Sequence, residues 1–394
     1  MTVLAKLLTA VSGIAFGVLS PSVGLFAQEI DPEAQTVLSN DLWAAPRHEA
    51  MSGATTGLSD GVDAPLHNPA GIGGLHQTDN APFVRQLHFP LFGTAVNDNT
   101  IQLNNDFNKS GALESPTIAA GLVDANAGKR QYARATVLPN IVLGRLFLGY
   151  VADSQFAAVS KGAGTNLVDL RYRQASGPVL GFSATDKKGR FYLGVSGALL
   201  ERKEVFTTVD YEQIADPDSR KSALRDGLAS YSGDPANAGF IWVLSPTARP
   251  ALAIAATDIG NTSYTNRSSS FATPLPSLRV HQNVTTSFSV SPQLGHWGYL
   301  NLALEADRFH ETDMALAKKI KTGLELSFGS HYGTRSIFAL RGGYAAAGAS
   351  YGFLLNIGLV GIEAADHAVD IGPANQRLIE RRKSAILGIN IAEY

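Results

Sequence analysis

The sequence predicts an all-β fold: a transmembrane antiparallel β-barrel of about 14 strands, with an N-terminal hatch segment ahead of it. Three observations point there. The 394-residue chain has a mean hydropathy of +0.02 and 17% charged residues, yet no long apolar run follows its N-terminus; soluble domains usually carry ~25% charge. From Phe83 onward the chain is a series of about fifteen short segments in which apolar and polar residues alternate, the signature of strands with two unlike faces. The polar faces carry glycine, serine and paired charges, as a wet lumen would.

Composition removes several function classes. With 32 Lys+Arg against 34 Asp+Glu the formal net charge is −2, which offers no basic stripe for a nucleic acid. The absence of cysteine excludes a disulfide scaffold, a thiolate metal site and a thiol nucleophile.

Residues 1–27 read as a signal peptide. Lys6 supplies the positive n-region, and the run from Leu7 to Leu19 is an apolar h-region of suitable length. Its Gly and Ser interruptions and the Pro21-Ser22 break argue against a spanning helix, which needs ~20 apolar residues. Residues 28–80 follow as a hatch or plug segment, rich in small residues and turn formers. A stretch of this length without period is functional or disordered as a rule, and its moderate hydrophobicity suggests packing against something. The Asn68-Pro69 pair initiates a turn.

Residues 81–394 form the barrel. Leu300, Leu302, Leu304 and Ala306 share one strand face, and Asn301, Ala303, Glu305 and Asp307 the other. Ile320, Thr322, Leu324, Leu326 and Phe328 oppose Lys319, Lys321, Gly323, Glu325 and Ser327. Phe191, Leu193, Val195, Gly197 and Leu199 oppose Tyr192, Gly194, Ser196 and Ala198. Near the C-terminus Ala385, Leu387, Ile389 and Ile391 oppose Ser384, Gly388 and Asn390, with Ile386 out of phase. The polar sides make Lys319, Lys321, Glu325, Arg341 and Glu305 candidate lumen residues. Tyr150, Tyr264, Tyr299, Phe328, Tyr332, Tyr344 and Tyr351 fall near segment ends, where aromatic girdles belong. Only helices and closed barrels satisfy their backbone groups in lipid, and hydropathy excludes helices. The polar stretch 210–235 reads as an extracellular loop with one helical turn.

The segment 53–75, with its Gly/Ala-rich lead into Asn68-Pro69-Ala70-Gly71, resembles the N-terminal portion of the FadL-type outer-membrane transporter superfamily. Residues 251–261, the run 316–326, Leu340-Arg341-Gly342-Gly343-Tyr344, Gly352-Phe353-Leu354-Leu355 and the closing Arg381-Arg382 look more like its shorter PorV-like and TraF-like branch. The resemblance implies a 14-stranded barrel in the outer membrane of a Gram-negative bacterium, with Asn68, Pro69, Ala70 and Gly71 as the hatch motif. It implies passage of hydrophobic molecules through the lumen or wall, or, in the PorV-like branch, a docking barrel for secreted proteins. The expected partners are the lipid bilayer, a hydrophobic small molecule and, through the 210–235 loop, another protein. Tyr394 departs from the common pattern, since it falls out of phase with the apolar face of the last strand.

Two sharper motifs compete. Gly348-Ala349-Ser350-Tyr351-Gly352 matches the nucleophile elbow of an esterase, with Asp366 and His367 downstream, but the following residues read as strand rather than helix. Asp307, His310, Glu311 and Asp313 cluster without a metal-binding spacing, so they read as a solvated turn. His48, His67, His76 and His88 read as hydrogen-bonded plug or lumen residues. The expectation is a barrel with no catalytic residue, metal or cofactor.

Overall fold

A computed structural model of the chain describes residues 38–39, 42–43, 45–58, 61–76, 84–110, 116–161, 167–210, 228–269, 277–312, 314–329, 336–372 and 377–391. The expected signal peptide and Tyr394 lie outside these residues. Fourteen antiparallel strands follow one another around a closed barrel. They are β1 (Val84–Asn97), β2 (Arg130–Val137 with Asn140–Leu143), β3 (Leu146–Ser160), β4 (Leu167–Thr185) and β5 (Phe191–Ala198 with Leu200–Asp210). Next come β6 (Ala229–Gly233 with Ala236–Val243), β7 (Ala251–Thr257 with Thr262–Ser269), β8 (Leu278–Val280 with Asn283–Val290) and β9 (Gly298–Ala306). The series ends with β10 (Ile320–Phe328), β11 (Phe338–Ala345), β12 (Gly348–Ile357), β13 (Val360–Asp370) and β14 (Ile379–Ile391). Each pairs with its sequence neighbour, and β14 returns to β1 with His88 opposite Asn390 and Asn97 opposite Arg382. Closure leaves no edge with unpaired backbone groups.

Five strands are interrupted for local reasons. Pro139 and Pro235, which have no N–H to give, sit in the breaks of β2 and β6. In β7 the break contains Asp258, Gly260 and Asn261, all at positive φ. The two rims differ. Connections 144–145, 186–190, 244–250, 291–297, 329–337 and 358–359 are short, whereas the opposite rim carries 98–129, 211–228 and 307–319. That is the asymmetry of outer-membrane barrels, with turns on one side and loops on the other.

The outer surface is an apolar band built from Leu180, Leu193, Val195, Leu252, Ile254, Leu304, Leu324, Leu340 and Leu387, all exposed. Phe191 stacks on Trp242 at 5.9 Å, and Phe328 on Trp297 and Phe338 at 5.6 and 5.8 Å, forming an aromatic rim at the short-turn end. Tyr344 and Tyr351 are exposed at the loop end. Tyr264 and Tyr299, expected in the girdles, point inward and are buried, and Tyr332 lies outside the described residues.

Helices are short. α1 (Pro46–Ala50), α2 (Ala64–His67) and two 3₁₀ turns (Thr56–Leu58 and Pro69–His76) belong to the N-terminal segment; α3 (Asp98–Ser110) and α4 (Pro116–Ala125) fill the first loop, and α5 (Leu316–Lys319) precedes β10. Among the described residues no helix is long and apolar enough to cross a membrane. The expected 210–235 loop ends earlier, because Ala229–Gly233 pairs with β5 and β7 and turns Ala229 and Tyr231 into the interior. Residues 211–227, including the expected helical turn, lie outside the described residues.

Candidate functional site: the filled lumen

Alternation sends every second side chain inward, and many of those residues are small. The N-terminal segment occupies the space this leaves. A Cβ on Gly194 of β5 would overlap the Pro69 carbonyl, and one on Gly239 of β6 would overlap the Asn68 side chain. Backbone can approach a wall this closely only where the wall has no side chain.

Asn68 shapes the segment there. It is fully buried; its Nδ2 donates to Thr56 O at 2.8 Å, and its Oδ1 accepts from Ala70 N at 3.1 Å. Ala70 O in turn accepts from Ser183 Oγ of β4 at 3.2 Å. Pro69 leads the 3₁₀ turn that carries Ala70 and Gly71.

Charged groups hold the segment on the opposite wall. Glu325 on β10 accepts from Arg47 of α1 twice, Nε to Oε2 and Nη2 to Oε1, both at 2.9 Å. It also accepts from Arg341 Nε of β11 at 2.7 Å and from Asn301 Nδ2 of β9 at 2.8 Å. Arg341 spans onward to Glu363 of β13 at 2.7 Å. Four donors thus converge on one buried carboxylate, which offers about four lone-pair sites. Glu305 of β9 accepts from Thr56 N at 2.9 Å. Lys321 Nζ lies 2.7 Å from Asp307, which also accepts from Asn283 and Thr285. Lys319 ends α5, and its Nζ donates to Glu311 O. Four of the five candidate lumen residues therefore fall into three contacts: Glu325 with Arg341, Glu305 with the segment backbone, and Lys321 with Asp307, while Lys319 serves the neighbouring loop. Asp313 lies outside the described residues.

Two histidines of the segment stack, His48 on His67, with centroids 4.3 Å apart and planes within 7°. His48 Nδ1 is 2.7 Å from Thr55 Oγ1. Burial holds the His48 pKa well below the usual histidine value, and neighbouring His67 and Lys321 press it the same way. His88 is buried beside Asn140. The side chain of His76 lies outside the described residues.

Ser350 stands within β12, not at a strand–turn–helix elbow. Its Oγ accepts from Ser52 Oγ at 3.0 Å, joining the segment to the wall. Asp366 pairs with Arg381 and the Tyr351 hydroxyl, while buried His367 approaches Glu49 at 3.6 Å. The G-x-S-x-G match thus lacks the elbow that nucleophilic attack needs.

An apolar surface inside the lumen escaped the sequence reading. Leu138, Val142, Phe147, Val151, Val179 and Leu200 of β2–β5 and the β2 break, with Tyr231, Tyr264 and Val280 of β6–β8, form one buried cluster with Trp43, Ala45, Ala64 and Ile72 of the segment. Ile386, out of phase in the sequence, belongs to this cluster. That residue was the available signal: an apolar side chain on a polar face marks an apolar place in the lumen.

No family model matches the chain, and no curated protein does. Solved structures similar to it include hydrocarbon channels and transporters of the FadL type, and also other barrels such as the translocator domain of the autotransporter NalP from Neisseria meningitidis. The CymD monoaromatic hydrocarbon channel is 10% identical over 90% of this chain and 99% of that one, with a TM-score of 0.48. The toluene transporter TbuX of Ralstonia pickettii is 11% identical over 90% and 100%, at 0.47. A Pseudomonas aeruginosa FadL homologue is 10% identical over 88% and 97%, at 0.31. The titles quoted name a hydrocarbon channel, a toluene transporter and a FadL homologue, and no PorV-like chain. The fold itself rests on the strand register and its closure.

Proposed function

We propose that this chain is an outer-membrane channel of a Gram-negative envelope that passes small hydrophobic solutes, with residues 28–80 as the hatch that closes its lumen. The observation that carries the reading is the apolar lining from Leu138 to Val280, covered by Trp43, Ala64 and Ile72. A channel for hydrated solutes has no use for such a lining, because water leaves apolar surface readily and a hydrophilic solute gains nothing there. The apolar outer band, the aromatic rim and the long-loop rim support the membrane placement. In this reading Glu325, held in place by Arg341, latches Arg47, Glu305 latches Thr56, and Asn68, Pro69, Ala70 and Gly71 form the hatch turn. The proteins named above include a monoaromatic hydrocarbon channel and a toluene transporter; the reading here stands on this chain's own lumen.

The test is uptake of a hydrophobic tracer by proteoliposomes, with heat-modifiable gel migration to show that the barrel is closed. Uptake above protein-free vesicles, rising when residues 28–80 are deleted, is expected. A folded barrel that admits no tracer with or without those residues overturns the reading.

A further inference from the structure

Between the segment and the wall of β6–β10 lies a cavity of about 130 Å³. It is of the same order as the ~150 Å³ void that accommodates benzene in an engineered protein core. Its lining has two characters. Leu42, Leu66, Tyr264 and Val280 face it and also pack in the apolar lumen cluster, so the two surfaces are continuous. Across from them stand Glu305, Asp307, Asp258, Lys321 and His48.

The charges on that side are unequal. Two aspartates, Asp258 and Asp307, face one ammonium with the Glu305 carboxyl group beside them, and His48 is neutral at physiological pH because burial disfavours its charged form. Lys321 is committed to Asp307 at 2.7 Å. A solute entering here meets an acceptor-rich wall. A head group that donates hydrogen bonds is satisfied there, a bare hydrocarbon leaves the wall to water, and a carboxylate is set beside like charges.

Resting on the channel reading above, we infer that the preferred solute is a small amphiphile: an apolar body against Leu66 and Val280, and a hydrogen-bond-donating head, hydroxyl or ammonium, against Glu305. Its carboxylate counterpart is excluded by the same wall.

The experiment is equilibrium dialysis of toluene, benzyl alcohol, benzylamine and benzoate against the full chain in nanodiscs, corrected by protein-free nanodiscs. These probes share one ring and differ in the head. Benzyl alcohol and benzylamine are expected to bind about tenfold tighter than toluene, the worth of one well-made hydrogen bond, and benzoate weakest. A larger gain for benzylamine than for benzyl alcohol assigns the ammonium; equal gains assign hydrogen bonding alone. Val280→Trp fills the cavity from the wall and Leu66→Trp from the segment, and either is expected to abolish the preference. Equal affinities for all four probes, benzoate binding as well as benzyl alcohol, or a preference that survives both fillings overturns the inference. Binding by none of the probes leaves the cavity to water and overturns it too. Toluene uptake by proteoliposomes, measured alongside, separates these outcomes from failure of the channel reading itself.

Discussion

Glu325→Gln is the most informative single change. Its carboxylate takes two bonds from Arg47 at 2.9 Å, and the pair is largely buried, with side-chain exposures of 14% and 2%. Glutamine keeps the shape, removes the charge, and leaves one neutral oxygen where two charged ones received four donors. Removing one member of a buried ion pair costs ~3–5 kcal/mol. The retained oxygen, and the Glu363 carboxylate that still serves Arg341, put the expected loss near the low end, ~3 kcal/mol, or about two powers of ten in the docked-to-free ratio of the segment. Arg47→Met should cost less, ~1–2 kcal/mol, because Glu325 keeps Arg341 and Asn301. The assay is hydrogen exchange of the segment's own amides, such as Leu58 N–H, bonded to Thr55 O, and Leu66 N–H, bonded to Asp63 O. Barrel amides in the same sample serve as the internal standard. Exchange faster by roughly a hundredfold in Glu325→Gln, with unchanged barrel protection, is the expected pattern. Segment exchange at the wild-type rate would refute the latch.

Other changes probe the remaining contacts. Gly194→Val puts a side chain where the Pro69 backbone lies, so the segment should leave the wall and single-channel conductance should rise while the barrel still migrates as a closed form. Asn68→Ala removes the bonds to Thr56 O and from Ala70 N and should cost the segment ~1–3 kcal/mol of docking, read by the same exchange experiment. Docking should weaken with acid. Above pH 6.5 His48 is neutral whether docked or free, so docking is at full strength; as pH falls below 6.5 the free ring takes a proton that the docked ring, its pKa lowered, does not. The loss is up to ~1.4 kcal/mol per pH unit until the docked pKa is reached, and His48→Phe should flatten a conductance titration from pH 8 to pH 5. On the outside, Leu193→Arg places a charge in the apolar band and should lower barrel stability in lipid by ~2–4 kcal/mol, measured by denaturant unfolding in vesicles.

Much of the wall was legible because its period is two. The inward set Asn301, Ala303 and Glu305 and the outward set Leu193 and Val195 stand on the faces that alternation assigns them. The charges that alternation assigns to the inward face, Glu325, Arg341 and Glu305, are all buried. Three features were hidden. The strand break at 258–261 shifts the phase within β7, and this carries Tyr264 inward although its place near a segment end suggests a girdle. The helices α3 and α4 have no strong pattern: α3 buries none of its residues, so there was no apolar stripe to find. The apolar lining of the lumen is assembled from one or two residues on each of eight strands and from the N-terminal segment, so no window of sequence contains it. Only closure of the barrel brings Leu138, Tyr264 and Ile386 together.

The most direct measurement of the central claim uses the chain's lack of cysteine. Ser52 in the segment and Ser350 on β12 meet at 3.0 Å, so a Ser52→Cys, Ser350→Cys pair can be joined by oxidation with no competing thiol. If the segment closes the lumen through which solute passes, the oxidised protein should crosslink within one chain, stop tracer uptake, and recover it on reduction. Efficient crosslinking with uptake untouched would mean that the solute does not pass where this segment sits.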